Sequence, residues 1–280
     1  MEVILKQLCL EYLMAMEVIK PIVSIGPEVS EFAKRKLPDI LLNNSKYSEG
    51  VYDQALVESF LEVDKILFTE QGAEEIKTIQ AERTNNAQRT LFDSMPDKGP
   101  DGRGCTANVI LFKDGNMYIA NAGDSRSILA TKGIGIDLSR DHKPEDKKET
   151  ERIIKAGGYV TNGRVVGNLN LSRALGDLQY KRAAGLKLEE QMITSMPDIL
   201  KQKLGQDYDF IVMGCDGIYD TLTTKQIVEH FYKEFKEKPD TPLKQLVEEF
   251  VDSLVSPDYT LNEGRGCDNM TCILIKFNRK

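Results

Sequence analysis

Apolar positions along the chain change their period about a third of the way in. Val29, Phe32, Ala33 and Leu37 recur at helical spacing after Gly26-Pro27, so EVSEFAKRKLPDIL predicts a helix with proline in its first turn. Leu56, Phe60, Val63 and Leu67 mark a second amphipathic helix. From Glu70 to Asp101 the sequence turns polar, with scattered proline and glycine, and reads as a loop or partly disordered insertion. Beyond it the pattern becomes that of strands. Asn108 to Phe112 and Met117 to Ala120 are apolar runs joined through Lys113-Asp114-Gly115-Asn116, and an Asp-Gly pair between two such runs signals a hairpin.

Glu145 to Ala156 is a charged helix stopped by Gly157-Gly158, which can take the left-handed conformation of a C-terminal cap. Further strands are expected at Arg164 to Val166 and Phe210 to Met213. Thr223 and Gln226 form a capping box for a helix whose Ile227, Phe231 and Phe235 share a face. Thr241-Pro242 starts another that buries Leu243, Leu246, Val247, Phe250 and Leu254, and Thr271 to Phe277 is a last strand. Antiparallel strands with helices grouped outside them give an α+β layered architecture.

Composition narrows this further. A chain of 280 residues can bury one sizeable core, and no Pro/Gly/Ser linker interrupts it, so one domain is expected. Apolar content of 41%, charged content of 29% and a net charge of -7 fit a soluble globular protein and argue against nucleic acid as a generic partner. Five cysteines without zinc-type spacing suggest a reducing compartment, with Cys9, Cys105, Cys215, Cys267 and Cys272 read as small buried residues. The apolar stretch Val3 to Val23 is interrupted by Lys6, Glu11, Glu17 and Lys20, so no membrane span is expected there, and it lacks the basic start and cleavage site of a signal peptide. The cytoplasm is the expected compartment, with the nucleus as the alternative.

Asp216 and Asp268 carry the candidate chemistry. Each sits in an acidic turn beside an apolar run, in DFIVMGCDGIYD and GCDNMTCILIKF. Hydrolysis of a phosphate monoester is among the slowest reactions in water, so a catalyst must supply a strong nucleophile and neutralise phosphate charge. Two hard divalent cations do both, and such cations take oxygen ligands, chiefly carboxylates. Asp216 and Asp268 supply two. No Gly-rich fingerprint opens a βαβ unit and no Cys-x-x-Cys pair is present, so a nucleotide-binding or redox enzyme is remote.

Around these aspartates, GCTANVILFKDGNMYIANAGDSRSIL, SRDHKP, LSRALGD and SMPDI occur in an order that resembles the PPM family, the type-2C metal-dependent protein Ser/Thr phosphatases. The resemblance covers roughly Gly26 to Phe277. It implies a β-sandwich flanked by antiparallel helix pairs, here without its first strands. It also implies phosphorylated protein substrates, a monomer, and two Mg2+ or Mn2+ ions with a third, weaker one. Asp216 and Asp268 match metal ligands, and Asp141 in DHKP matches a residue that helps hold the third metal. Asp124, Ser125, Arg126, Asp177 and Asp220 read as turn and hydrogen-bond anchors, and of the two histidines His142 lies in a loop and His230 on the capped helix.

The family's Asp-Gly-His-Gly-Gly loop and the acidic pair upstream of it are missing, and EYLMAMEVIKPIVSI stands in that loop's place. Two readings follow. In one, the chain is an inactive pseudophosphatase that holds phosphoproteins or kinases. In the other, residues 1–25 are a translation artefact and 26–280 form the phosphatase domain. The codons for Glu11 to Glu17, read one base earlier, permit Val-Phe-Asp-Gly-His-Gly. GT at Val18 and AG across Ile25 and Gly26 could then bracket a retained intron of 25 bases. Sequencing the transcript across Leu10 to Glu28 decides between them. A product 25 bases shorter than the gene supports the artefact, and an unspliced product contradicts it.

Overall fold

The computed structural model describes residues 18–22, 27–85, 102–257 and 265–277. Its first element is strand β1 (Val18–Ile22), followed by helices α1 (Pro27–Leu42), α2 (Ser45–Ser48), α3 (Tyr52–Leu67) and α4 (Glu70–Asn85). Strands β2 (Gly104–Cys105), β3 (Ala107–Lys113), β4 (Asn116–Ala122), β5 (Arg126–Thr131) and β6 (Ile134–Asp137) come next. Helix α5 (Lys147–Lys155) leads to β7 (Val160–Thr161), β8 (Arg164–Val165), β9 (Leu175–Gly176), β10 (Asp198–Lys203) and β11 (Tyr208–Gly214). The remainder is α6 (Asp216–Tyr219), α7 (Thr224–Glu237), α8 (Leu243–Leu254) and β12 (Cys272–Lys276).

Two antiparallel four-stranded sheets, ordered β1-β3-β4-β10 and β12-β11-β5-β6, pack face to face. Between them lie Ile110, Phe112, Met117 and Ile119 from one sheet and Leu129, Ile211, Met213, Ile273 and Ile275 from the other. Successive side chains in a strand point to opposite faces, so Val109, Leu111, Tyr118 and Ala120 emerge on the far side of the first sheet. There they meet Phe32, Leu37, Phe60, Val63 and Ile76 of α1, α3 and α4. On the far side of the second sheet, Ile128, Phe210, Val212 and Leu274 meet Phe231 of α7 and Leu246 and Phe250 of α8. The inner strands of each sheet are covered on both faces. That is why β3 and β11 read as continuous apolar runs rather than as alternating patterns.

The expected α+β architecture is therefore the observed one, and three local signals hold, although Leu254 of α8 is only partly buried. Asp114 and Gly115 have φ of 48° and 68°, the pair of positive angles a two-residue hairpin requires. Thr223 and Gln226 form the reciprocal capping box of α7. Gly157 ends the α5 region at φ 85°.

The expectation of a structureless insertion from Glu70 to Asp101 is corrected over its first half. Glu70–Asn85 is the helix α4, and residues 86–101 lie outside the described residues. Its polar composition hid it, because only a thin apolar face including Ile76 and Ile79 is buried, while Lys36–Glu75 and Arg35–Glu82 ion pairs hold it to α1. Cys267 is exposed, against the expectation that it is buried, whereas Cys105, Cys215 and Cys272 are buried. Of the stretch expected to be foreign to the domain, Val18–Ile22 pairs its backbone with β3, and residues 1–17 and 23–26 lie outside the described residues. The expectation that Val3 to Val23 does not span a membrane, and that Cys9 is buried, falls mostly there as well. No helix among the described residues is long and apolar enough to cross a membrane.

A fully buried ion pair fastens the helical layer to the short strands. Asp64 of α3 accepts from Lys181 Nζ and from the Gly176 N–H (2.8 Å), and Lys181 also donates to the Ala174 carbonyl (2.7 Å). Burying two charges is tolerable here because each is paired and hydrogen-bonded, and removing either alone would strand the other.

Candidate active site

Three neighbouring strands of the second sheet bring the acidic residues to one end. β11 runs antiparallel to both β5 and β12, and Gly214 stands opposite Arg126 on one side and Cys272 on the other. The residues just after β11 therefore meet those just before β5 and β12. These are Asp216, Asp124 and the Asp268 turn, far apart in sequence and joined only by strand register.

The turn carrying Asp216 is tied to the one carrying Asp268 by close backbone contact. The Cys215 thiol, an acceptor for the Thr271 N–H and a donor to the Asn269 carbonyl (both 3.2 Å), pins them together, and the Cys215 N–H donates to the Thr271 carbonyl (3.3 Å). Burial pushes that thiol up to about 11, so it stays protonated and can donate. Gly217 is required by this approach, because a Cβ there would lie 2.5 Å from the Asn269 carbonyl oxygen. Asp216 Oδ1 accepts from the Gly217 N–H (3.0 Å), and Asp268 Oδ1 from the Asn269 N–H (2.7 Å).

Around this pair lies a mixed cluster. Asp124 is buried and accepts from Lys143 Nζ at 2.6 Å; the Lys143 side chain is itself 41% exposed. Asp141 receives both arms of Arg126, Nε to Oδ1 and Nη2 to Oδ2, each at 3.0 Å. Arg126 is packed over the Tyr219 ring at 4.7 Å, and the Tyr219 hydroxyl donates to the Arg126 carbonyl (2.8 Å). Asp220 is exposed at the end of α6. Asp177 caps a short 3-10 helix in the left-handed region (φ 50°), as a turn residue would.

Behind the cluster, the motif residues that touch none of these carboxylates build a support. The His142 N–H donates to the Gly123 carbonyl (3.0 Å), and His142 Nε2 lies 3.2 Å from Asp198 Oδ2. Asp198 Oδ1 accepts from Arg173 Nη1 (2.8 Å), and Arg173 also grips the buried Glu149 at 2.7 Å, which Arg152 reaches at 2.6 Å. His142, beside Asp141 and Lys143, is thus held from both sides. His230 is half-buried against Phe231 and Phe250, with burial lowering its proton affinity.

The electrostatics single out Asp216. It is 8% exposed, and burial together with Asp124, Asp268 and Asp220 pushes its carboxyl up to about 7 against the partial relief of Lys143. Asp124 is also raised, by burial first, although Lys143 offsets much of it. Burial opposes the charge on Lys143, but Asp124, Asp141 and Asp220 outweigh it and raise its proton affinity. Sequence reasoning placed Asp216 and Asp268 correctly beside strand ends. It read Asp124 as a turn and hydrogen-bond anchor, which its bond from Lys143 agrees with, but missed its place beside Asp216 and passed over Lys143, although both lie in the quoted segments AGDSR and SRDHKP.

Among the described residues no three His, Cys, Asp or Glu side chains converge as an enclosed metal site. The donors present are carboxylate oxygens, which suit Mg2+ or Mn2+ in kind. A cation held by one or two carboxylates that keeps water and takes up phosphate fits Asp216 and Asp268. Buried carboxylate charge that its neighbours repel is the observation favouring a cation there.

In the metal-free protein, Asp216 makes stability pH-dependent. Between about pH 4 and 7 the folded chain keeps a proton that the unfolded chain has released, so stability falls as pH rises through that window. Denaturant titrations with chelator present should show a fall of roughly 2–4 kcal/mol in wild type that Asp216→Asn largely removes. Parallel pH profiles for the two proteins would contradict the assignment.

The protein phosphatase 2C family model matches residues 23–257. "Probable protein phosphatase 2C 3" of Paramecium tetraurelia is 41% identical over 256 residues, covering 91% of this chain and 80% of the relative. "Probable protein phosphatase 2C 21" of Arabidopsis thaliana is 35% identical over 276 residues, covering 91% and 76%. The crystal structure of a phosphatase from a pathogenic strain of Toxoplasma gondii superposes with a TM-score of 0.66 at 20% identity, covering 94% of this chain and 85% of that one, and so shares its fold. With the ordered motifs, the two-sheet core and the aspartate cluster at one sheet end, these matches make the chain a member of the protein phosphatase 2C family, the protein-serine/threonine phosphatases.

Proposed function

We propose that this chain hydrolyses phosphoserine and phosphothreonine in proteins at the cluster around Asp216, with a pair of Mg2+ or Mn2+ ions as cofactor. When bound, such ions would neutralise phosphoryl oxygens and supply a strong nucleophile from water at neutral pH. The observation that carries the reading is Asp216 itself, a buried carboxylate ringed by Asp124, Asp268 and Asp220.

Each residue has a part in that reading. Asp216 and Asp268 hold the cations, and the Cys215 bridge sets their separation. Asp141 serves a third, weaker cation. Its two oxygens lie on Arg126, yet a carboxylate has about four lone-pair sites, so pairing with one guanidinium leaves acceptor capacity free. Arg126 keeps that carboxylate oriented, and Lys143 limits the repulsion between Asp124 and Asp216.

The test is Asp216→Asn, assayed with Mn2+ on a phosphothreonine peptide and titrated with Mn2+ by calorimetry. Loss of a ligand should cut both turnover and Mn2+ affinity by about 100-fold. Turnover or affinity within about two-fold of wild type would overturn the assignment.

A further inference from the structure

The sandwich is open along one side. Among the described residues β10 ends the first sheet and β6 ends the second, so there both present backbone groups with no further strand beside them. Their inner faces are also uncovered. Leu200 stands opposite Ile119, which lies in the inter-sheet core, and therefore shares its face, yet Leu200 is 39% exposed. Ile136 stands opposite the inter-sheet residue Leu129 and is 43% exposed. Edge strands in soluble proteins are usually shielded by charge, covered or bulged. Here apolar side chains from two facing edges are left at the mouth of the core.

Next to Leu200 lies a cleft of about 630 Å3 floored by the buried Ile119 and Leu138, its walls carrying Leu200 together with Asp137, Arg140, Asp146 and Asp198. At one end the same cleft is lined by Arg126, Asp141 and Lys143 of the acidic cluster. An occupant of the cleft would thus run from an apolar floor directly to the residues where phosphate chemistry is proposed.

We propose that this cleft binds the extended polypeptide segment adjoining the phosphorylated residue of a protein substrate, with an apolar side chain of that segment seated on Leu200. Three features point to an extended polypeptide rather than a small molecule. An open strand edge offers hydrogen-bond partners to a peptide backbone, Leu200 between the polar Asp198 and Gln202 on the same face gives one side chain an apolar anchor, and the cleft is continuous with the proposed reaction centre. The inference rests on the reading of the aspartate cluster as a phosphatase site, and it adds where the rest of the substrate lies.

Leu200→Glu tests it, with Leu42→Glu as the control, since Leu42 is similarly exposed at the end of α1 in the outer helical layer. Phosphorylated casein is the substrate. Losing the burial of one leucine-sized contact and placing a charge in its stead should raise KM about ten-fold in Leu200→Glu, with kcat changed far less. Leu42→Glu should leave KM near the wild-type value. Equal KM values for Leu200→Glu and wild type would overturn the proposal, as would equal losses in both variants. If wild type turns over no phosphoprotein, the phosphatase reading of the cluster fails. The cleft is then judged from binding of fluorescently labelled, dephosphorylated casein, which Leu200→Glu should weaken by the same factor. Unchanged binding would sink the cleft on its own.

Discussion

A carboxylate taken out of water beside other carboxylates sets the terms for everything around it. Asp216 lies at the end of β11, an inner strand of its sheet, and the antiparallel register delivers Asp124 and Asp268 from the two flanking strands to the same end. Repulsion within such a group has to be met by cations or by protons. Lys143 meets part of it through Asp124, and a proton on Asp216 meets part of it below about pH 7. Divalent cations would meet the rest, which is why a site of this kind and hydrolysis of phosphate esters go together.

Holding repelling groups in place requires rigidity elsewhere, and the motif residues outside the cluster supply it. The Cys215 thiol and the close packing of Gly217 on Asn269 join two turns that the carboxylates alone would push apart. Arg173 links the buried Glu149 to the exposed Asp198, which lies against His142 Nε2, and this run of contacts steadies the loop bearing Asp141 and Lys143. The buried Asp64–Lys181 pair does similar work for the helical layer. The Glu149–Arg173 and Asp64–Lys181 pairs are buried on both sides, expensive to bury and costly to break, so they help fix one arrangement of the loops at the sheet end.

What was legible in the sequence was what local chemistry decides. The Asp114-Gly115 hairpin, the Thr223–Gln226 cap and the end of α5 at Gly157 depend on a few adjacent residues, and each was found where its signal lay. α4 was missed because its buried face is narrow and its remaining positions are charged, a pattern shared with loops. β5 and β10 were missed because Arg126–Thr131 opens on polar residues beside a turn segment and Asp198–Lys203 is polar at most of its positions. The site was legible by halves for the same reason. Asp216 and Asp268 adjoin long apolar runs, but Asp124 sits in a Gly-Asp-Ser segment with turn composition. Only the pairing of β11 with β5 reveals that it faces Asp216. The open mouth between β6 and β10 is likewise a property of sheet order, which no local pattern encodes.

The cluster around Asp216 is proposed to hold divalent cations. Anomalous diffraction from crystals grown with Mn2+ tests it most directly, because it places the ion without reference to activity. An anomalous peak is expected within coordination distance of the Asp216 carboxylate and adjoining Asp268. Well-diffracting crystals with no peak at Asp216, or with Mn2+ bound only elsewhere, would contradict it.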